Sequence, residues 1–296
     1  DRRVQPEQPA VAQDWTHFVN EPDTDWSLPH NAQWIESVLG KWKDRCDTLD
    51  TGSGEVREST DPSRPGVVVC RYAVPTLKDV QAAVETATAA QTQWSQTSLQ
   101  HRHDLLRRVA QNLRERRGDL IATMVADGGK TVLEADPEVS EAIDFCEFYP
   151  LTVEHWHRQS GIKLEPRGNV AVVTPWNFPL AIPCGGIAAA LAAGNCVLLK
   201  PASETVLVAW HLCQAFWDAG VPKNVLQFVP CEGRIAEAGL VKNPQIETVI
   251  LTGGTSTAKR MLSARSDLHL LAETGGKNAT IVTSMADRDL AVKHVV

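Results

Sequence analysis

NVAVVTPWNFPLAIPCGGIAAALAAGNCVLLKPASE, residues 169–204, decides the fold because it contains one complete strand–helix–strand unit. The run NVAVV is apolar at nearly every position, the pattern of a strand buried on both faces. Pro175 and Pro179 break the run with a turn. PLAIPCGGIAAALAAG then reads as a helix of small residues, and NCVLLK as a second buried strand. The same alternation continues to the C-terminus. ETVLVAWHLCQAFWDAG is a helix ending at Gly220, VLQFVP a strand, GRIAEAGLVKN a helix, IETVILTG a strand, TSTAKRMLSAR a helix and LHLLAE a strand. Strands that alternate with helices predict an α/β fold with a doubly wound parallel sheet.

Upstream of Gly168 the pattern is helical. TLKDVQAAVETATAAQTQW offers Thr76 as a cap, Asp79 in the first turn, and Val80, Val84 and Ala87 on one face. Leu105, Leu106, Val109 and Leu113 mark a second helix, and Asp119–Val125 a third that ends near Gly128 and Gly129. EADPEVSEAIDFCEFY is a fourth, with Val139, Ile143 and Cys146 at helical spacing. Residues 47–75 suggest a hairpin or edge strand. Asn31–Trp42 is a candidate amphipathic helix, and Trp26, Trp34 and Trp42 are expected to pack an N-terminal arm onto the body. Residues 1–25 are polar and proline-bearing, the composition of an extended linker.

Composition excludes several classes. The chain has 296 residues, 43% hydrophobic and 22% charged, as expected of a globular protein with a sizeable core. Its net charge of −7 argues against nucleic acid or an anionic membrane as the main partner. Leu180–Leu199 is the longest apolar region, but proline, glycines and Asn195 interrupt it, so no membrane span is expected. Seven cysteines are scattered without a C-x-x-C pair, which points to reduced thiols in a cytoplasmic protein and to no metal site. The chain begins at Asp1 and its first methionine is Met124, so it reads as an internal piece of something longer.

In doubly wound sheets ligands sit beyond the carboxyl ends of the strands. TPWNFP, LLKPASE and LTGGTSTA occupy three of those ends, and G-x-G-x-x-G is absent. Gly253 and Gly254 allow backbone to approach a ligand, and Thr255 opens a helix whose free N–H groups attract phosphate. Taken singly, each feature has a plainer reading: a glycine turn is only a turn, Lys200 a solvated lysine and Asn177 a turn former between prolines. Asn177 also suits an oxyanion donor, and Glu273, at the tip of an apolar run expected to be a buried strand, suits a general base or an ion pair.

Together and in order, PWNFP, GNCVLLKPAS, LTGGT and ETGGKNA resemble the aldehyde dehydrogenase superfamily over roughly 75–296. The resemblance implies a Rossmann-like cofactor domain of aldehyde dehydrogenase type over residues 46–272, after an arm over 1–45 and a helical region. Residues 273–296 would begin a truncated catalytic domain, and 149–168 would supply an oligomerisation hairpin. It implies Asn177 for the oxyanion and Glu273 as general base. Cofactor contacts would come from Thr174, Pro175, Trp176, Lys200, Ala202, Ser203, Gly233, Gly253, Gly254 and Thr255.

KTVLEADPEVSEAIDFCEFY resembles the glutamate-γ-semialdehyde (1-pyrroline-5-carboxylate) dehydrogenase branch, within which Glu141 is a site-supporting acid or a solvated helix residue. FVNEPDTDWSLPHNAQW is similar to the linker of bifunctional proline-utilization flavoenzymes, where a flavin would belong to an upstream domain outside this chain.

The implied activity is NAD(P)-dependent oxidation of a small aldehyde, glutamate γ-semialdehyde, in proline catabolism, by a homo-oligomer. Another semialdehyde dehydrogenase, or a truncated nucleotide-binding module, is the alternative. Where the family often carries an acid that binds the ribose hydroxyls, this chain has Ser203, which leaves NADP open beside NAD. No cysteine stands in the family's G-Q-x-C context, so the chain is expected to lack the nucleophile and to be inactive alone.

Overall fold

The computed structural model describes residues 14–295. The arm expected over 1–45 is an ordered strap where it is described; residues 1–13 lie outside the described residues. Asn20 Nδ2 and the Glu21 N–H donate to Asp144 at 2.7 Å each, and the Thr24 N–H donates to Asp136 at 2.7 Å. Arg114 pairs with Glu21 at 2.8 Å. Helix α1 (Pro29–Trp42) starts earlier than the apolar spacing implied, because proline in the first turn has no N–H to leave unpaired. The tryptophans do pack this region onto the body: Trp26 stacks on Trp34 with centroids 6.4 Å apart, and Trp42 Nε1 donates to Asp119 at 2.8 Å.

A small sheet follows, made of β1 (Asp47–Leu49), β2 (Val56–Thr60) and β3 (Val68–Ala73). The expected hairpin is the antiparallel β2–β3 pair, and β1 adds to the other side of β3 in parallel. The helical region comprises α2 (Leu77–Ser95), α3 (Leu99–Glu115), α4 (Arg117–Gly128) and α5 (Val132–His157). Thr76–Asp79 and Thr131–Glu134 form capping boxes at α2 and α5. Gly129 ends α4 in the left-handed conformation at φ 64°, which glycine adopts without steric cost. The hairpin expected over 149–168 is not formed: α5 takes residues 149–157, and 158–168 contain no strand. The aromatic and apolar residues 145–151 pack at helical spacing against α3 and α6, and this packing overrides the strand reading.

The remaining elements are β4 (Asn169–Val173), α6 (Ala181–Ala192), β5 (Cys196–Lys200), α7 (Val206–Asp218), β6 (Leu226–Phe228), α8 (Gly233–Ala236) with a π-helical turn Glu237–Val241, β7 (Ile246–Gly253), α9 (Thr255–Ala264), β8 (His269–Thr274) and α10 (Arg288–Val295). The strands lie in the order β6-β5-β4-β7-β8, all parallel. Chain direction across the sheet reverses between β4 and β7, the switch point of a doubly wound fold. Helix α6 is small-residue because it is pressed from two sides. A Cβ on Gly185 would stand 3.0 Å from the Phe145 ring, and one on Gly186 would stand 2.7 Å from Val172.

The expectation of a buried final strand is corrected. β8 is the sheet edge, with one neighbour, and Leu271 is 50% exposed. An apolar run reports preference for a sheet, not what lies over it.

A buried carboxylate, Asp127, ties the layers together. Asp127 accepts hydrogen bonds from Ser59 Oγ at 2.6 Å and from the N–H groups of Leu207 and Val208 at 2.9 and 3.2 Å. Burial nevertheless outweighs these donors and pushes its carboxyl from 3.8 up to about 6. A folded pKa above the unfolded one contributes stability that is present below the unfolded pKa and lost as pH rises through the folded one. Asp127→Asn should therefore flatten the pH dependence of stability between pH 4 and 7, where the wild type loses about 3 kcal/mol from this group. Urea denaturation of both proteins across that range checks it.

Candidate active site

Sheet register brings the strand ends into two rows. Val173 pairs with Lys200 on one side and Leu251 on the other, and Leu251 pairs with Ala272. In the next row Thr252 pairs with Glu273 and stands beside Thr174. With strands about 5 Å apart, Glu273 is about two strands, or 10 Å, from Thr174 along the same edge.

A cavity of about 350 Å³ opens over these rows. It is lined by Thr174, Pro175, Trp176, Lys200, Ala202, Ser203, Gly233, Gly253 and Gly254, nine of the ten residues expected to meet a cofactor. The tenth, Thr255, opens α9 beside it and donates from Oγ1 to the Gly275 carbonyl at 3.3 Å. The motifs did not flag Thr252, Glu237, Arg260 or Met261, which also line it. Arg260 and Met261 lie one turn into α9, on the face that follows from the LTGGT turn, so their place was implicit in the helical period.

Four features leave this cavity with open space and polar groups that the fold does not use. The Thr174 hydroxyl is buried and has no hydrogen-bond partner among the described residues. Lys200 is half-buried, and burial lowers its pKa; its Nζ donates to the Pro201 carbonyl at 2.9 Å and has no ion pair among the described residues. A Cβ on Gly233 would meet nothing within 4 Å, so the glycine leaves open space rather than relieving a clash. Gly254 caps α9 without a side chain, which leaves that N-terminus free for an anion. The far wall is braced by Glu232, clamped between Arg57 of the small sheet and Arg234.

The expected catalytic residues stand outside this cavity. Asn177 is exposed in the turn before α6, and its backbone carbonyl accepts from Lys130 Nζ at 2.9 Å. Glu273 is exposed on β8. Glu141 is exposed on α5; desolvation raises its pKa, with Glu138 and Asp144 adding and Lys130 opposing. Six of the seven cysteines are buried, and Cys46 is exposed near Arg71 of the small sheet. Burial pushes the Cys231 thiol, close to Lys200, up to about 11.

Fold and cavity together define a doubly wound α/β protein with a cavity at the carboxyl ends of its strands and an exposed amide and carboxylate near that edge. The profile of the Aldehyde dehydrogenase family matches residues 49–296, and the chain belongs to that family. It is 33% identical to 1-pyrroline-5-carboxylate dehydrogenase of Geobacillus thermodenitrificans, over 94% of this chain and 59% of that protein. It is 36% identical to Bifunctional protein PutA of Escherichia coli, over 88% of this chain and 20% of that one. Among solved structures, 1-pyrroline-5-carboxylate dehydrogenase from Thermus with bound NAD superposes with a TM-score of 0.82 at 30% identity, covering 88% of this chain and 56% of that one. Proline utilization A from Bdellovibrio bacteriovorus gives a TM-score of 0.87 at 29% identity, covering 98% and 32%. The chain thus spans 59% of the length of the dehydrogenase relative it matches.

The unpaired Thr174 hydroxyl is directly testable. Thr174→Val keeps the shape and removes a buried polar atom without a partner, so it should stabilise the free chain by up to about 1 kcal/mol in urea denaturation. The same substitution should weaken cofactor binding, because it removes the group held ready for the ligand.

Proposed function

We propose that this chain forms the cofactor-binding part of an enzyme that oxidises glutamate γ-semialdehyde (1-pyrroline-5-carboxylate) to glutamate with NAD. The observation that carries the reading is the convergence of nine motif residues on one cavity that contains a Thr174 hydroxyl and a half-buried Lys200 with, among the described residues, no hydrogen-bond partner and no ion pair respectively. When bound, NAD supplies the hydride acceptor. Lys200 holds the adenosine ribose, the free N-terminus of α9 receives the pyrophosphate, and Thr174 and Trp176 wall the nicotinamide channel. Ser203 places no carboxylate against a 2′-phosphate and Arg260 lines the same cavity, but Glu204 and Glu237 line it too, so the lining leaves NADP open beside NAD.

At the open end, the Asn177 side-chain amide donates to the oxygen of the aldehyde as negative charge develops on it. Glu273 takes the proton from the water that releases the acid. Glu141, beside Lys130, attracts the amino group of the substrate. The nucleophilic thiol is not supplied by the cysteines described, since none stands exposed at the strand ends. The chain by itself therefore binds the cofactor and does not turn over aldehyde. Free, mostly buried thiols suit a reducing compartment such as the cytoplasm, and among the described residues no helix is long and apolar enough to cross a membrane. Ile162 and Leu164, exposed in the strand-free segment 158–168, are the proposed self-association surface.

Gly233→Val separates binding from folding. The new side chain enters open space, so melting temperature should hold while NAD affinity, measured by calorimetry, falls at least about tenfold, or 1.4 kcal/mol. Equal NAD binding by both proteins would overturn the assignment of the cavity. Steady NADH formation from glutamate γ-semialdehyde by the pure chain would overturn the claim that it lacks the nucleophile.

A further inference from the structure

Asn177 sits in an exposed turn, and an oxyanion donor is useful only if its position is fixed before the charge develops. The turn is held by two charged side chains, both within KTVLEADPEVSEAIDFCEFY, to which the sequence assigned no role. Lys130 Nζ donates to the Asn177 carbonyl at 2.9 Å and to Glu138 Oε2 at 2.6 Å, and lies 4.4 Å from the centre of the Phe178 ring. Glu138 Oε1 accepts from the N–H groups of Leu180 and Ala181 at 2.7 and 3.1 Å. Its side chain is fully buried, and that of Lys130 is 11% exposed.

We propose that Lys130 and Glu138 are positioning residues that hold the Asn177 amide where the oxyanion forms; this rests on the role assigned to Asn177 above. The geometry gives the pair something specific to do. Helix α6 begins at Leu180 with no side-chain cap of its own, so Glu138, reaching across from α5, supplies it. A carboxylate there also meets the positive end of the α6 dipole. A fully buried carboxylate needs a cation or several donors, and Glu138 has both. Backbone or ring atoms of residues 177, 178, 180 and 181 are thereby fixed by one ion pair. The side-chain amide of Asn177 has no hydrogen bond among the described residues and stays free to face a substrate. Lys130 is itself anchored, because its N–H donates to the Met124 carbonyl at 3.2 Å and the preceding Gly129 makes the reversal that aims it.

The test uses the chain with isotope-labelled asparagine side chains, read by NMR, together with hydrogen exchange at Leu180 and Ala181. Lys130→Met should shift and broaden the Asn177 amide pair selectively, with the other asparagine signals unmoved, and Lys130→Arg, which keeps a cationic donor, should restore it. Glu138→Ala should speed exchange at Leu180 and Ala181 about tenfold, as expected for loss of hydrogen bonds to a charged group. The proposal is overturned if folded Lys130→Met leaves the Asn177 signals unchanged, or if every asparagine signal moves with it and Lys130→Arg restores none. NAD added to the same samples reads the proposed function separately. If the cavity signals ignore NAD, the cofactor assignment fails, while the anchoring of the turn has still been measured without it.

Discussion

A buried helix N-terminus has backbone N–H groups that must find acceptors, and this requirement organises the site. Both α6 and α7 start at the functional edge of the sheet with no side-chain cap of their own. In each case a carboxylate arrives from a distant helix: Glu138 from α5 for α6, and Asp127 from α4 for α7. Helix α9 also lacks a side-chain cap among the described residues, and its own first turn holds no acid. Among the described residues, α6 and α7 are thus neutralised from inside the protein, whereas α8 and α9, which begin at or beside cavity-lining glycines, have no side-chain cap. The same chemistry that stabilises the scaffold thus leaves the start of α9 the uncapped one among α6, α7 and α9.

The parallel sheet supplies the geometry. A parallel sheet puts all its carboxyl ends on one edge, and exact register places Lys200, Val173 and Leu251 side by side. The small sheet and the N-terminal strap then brace that edge from outside. Arg57 of β2 reaches Glu232 next to Gly233, and the strap is fastened to α5, the helix that carries Glu138. Elements with no site residue of their own therefore set the walls of the cavity.

Much of this was legible in the residues. Strands buried on both faces, such as NVAVV and CVLLK, leave little choice of fold, and the glycine turns mark where backbone meets a ligand. What could not be read was anything fixed by distant pairing. Glu138 looked like one acid among several on α5, because its partners at Leu180 and Ala181 are 42 and 43 positions away. Residues 14–25 looked like a linker because their partners, Asp136, Asp144 and Arg114, lie over ninety positions on. Leu270 and Leu271 looked buried because local sequence reports apolarity and not the layer above it. The segment 149–157 was mistaken for a hairpin because the helical face of α5 becomes evident only when α3 and α6 pack on it.

The two ends of the site differ in how far they are prepared. Along the cavity, Thr174 is buried and Lys200 half-buried, so a ligand that supplies acceptors gains at Thr174 without first dehydrating it. At the reacting end, Asn177 and Glu273 are both exposed, and water competes for each. An amide donor or a carboxylate acts more strongly on a developing charge when water is excluded. In this chain the position of the Asn177 turn is set by Lys130 and Glu138, while exclusion of water from it is not. Placement and shielding are therefore separate contributions here: the chain's own buried ion pair provides the first, and the exposed β8 edge does not provide the second.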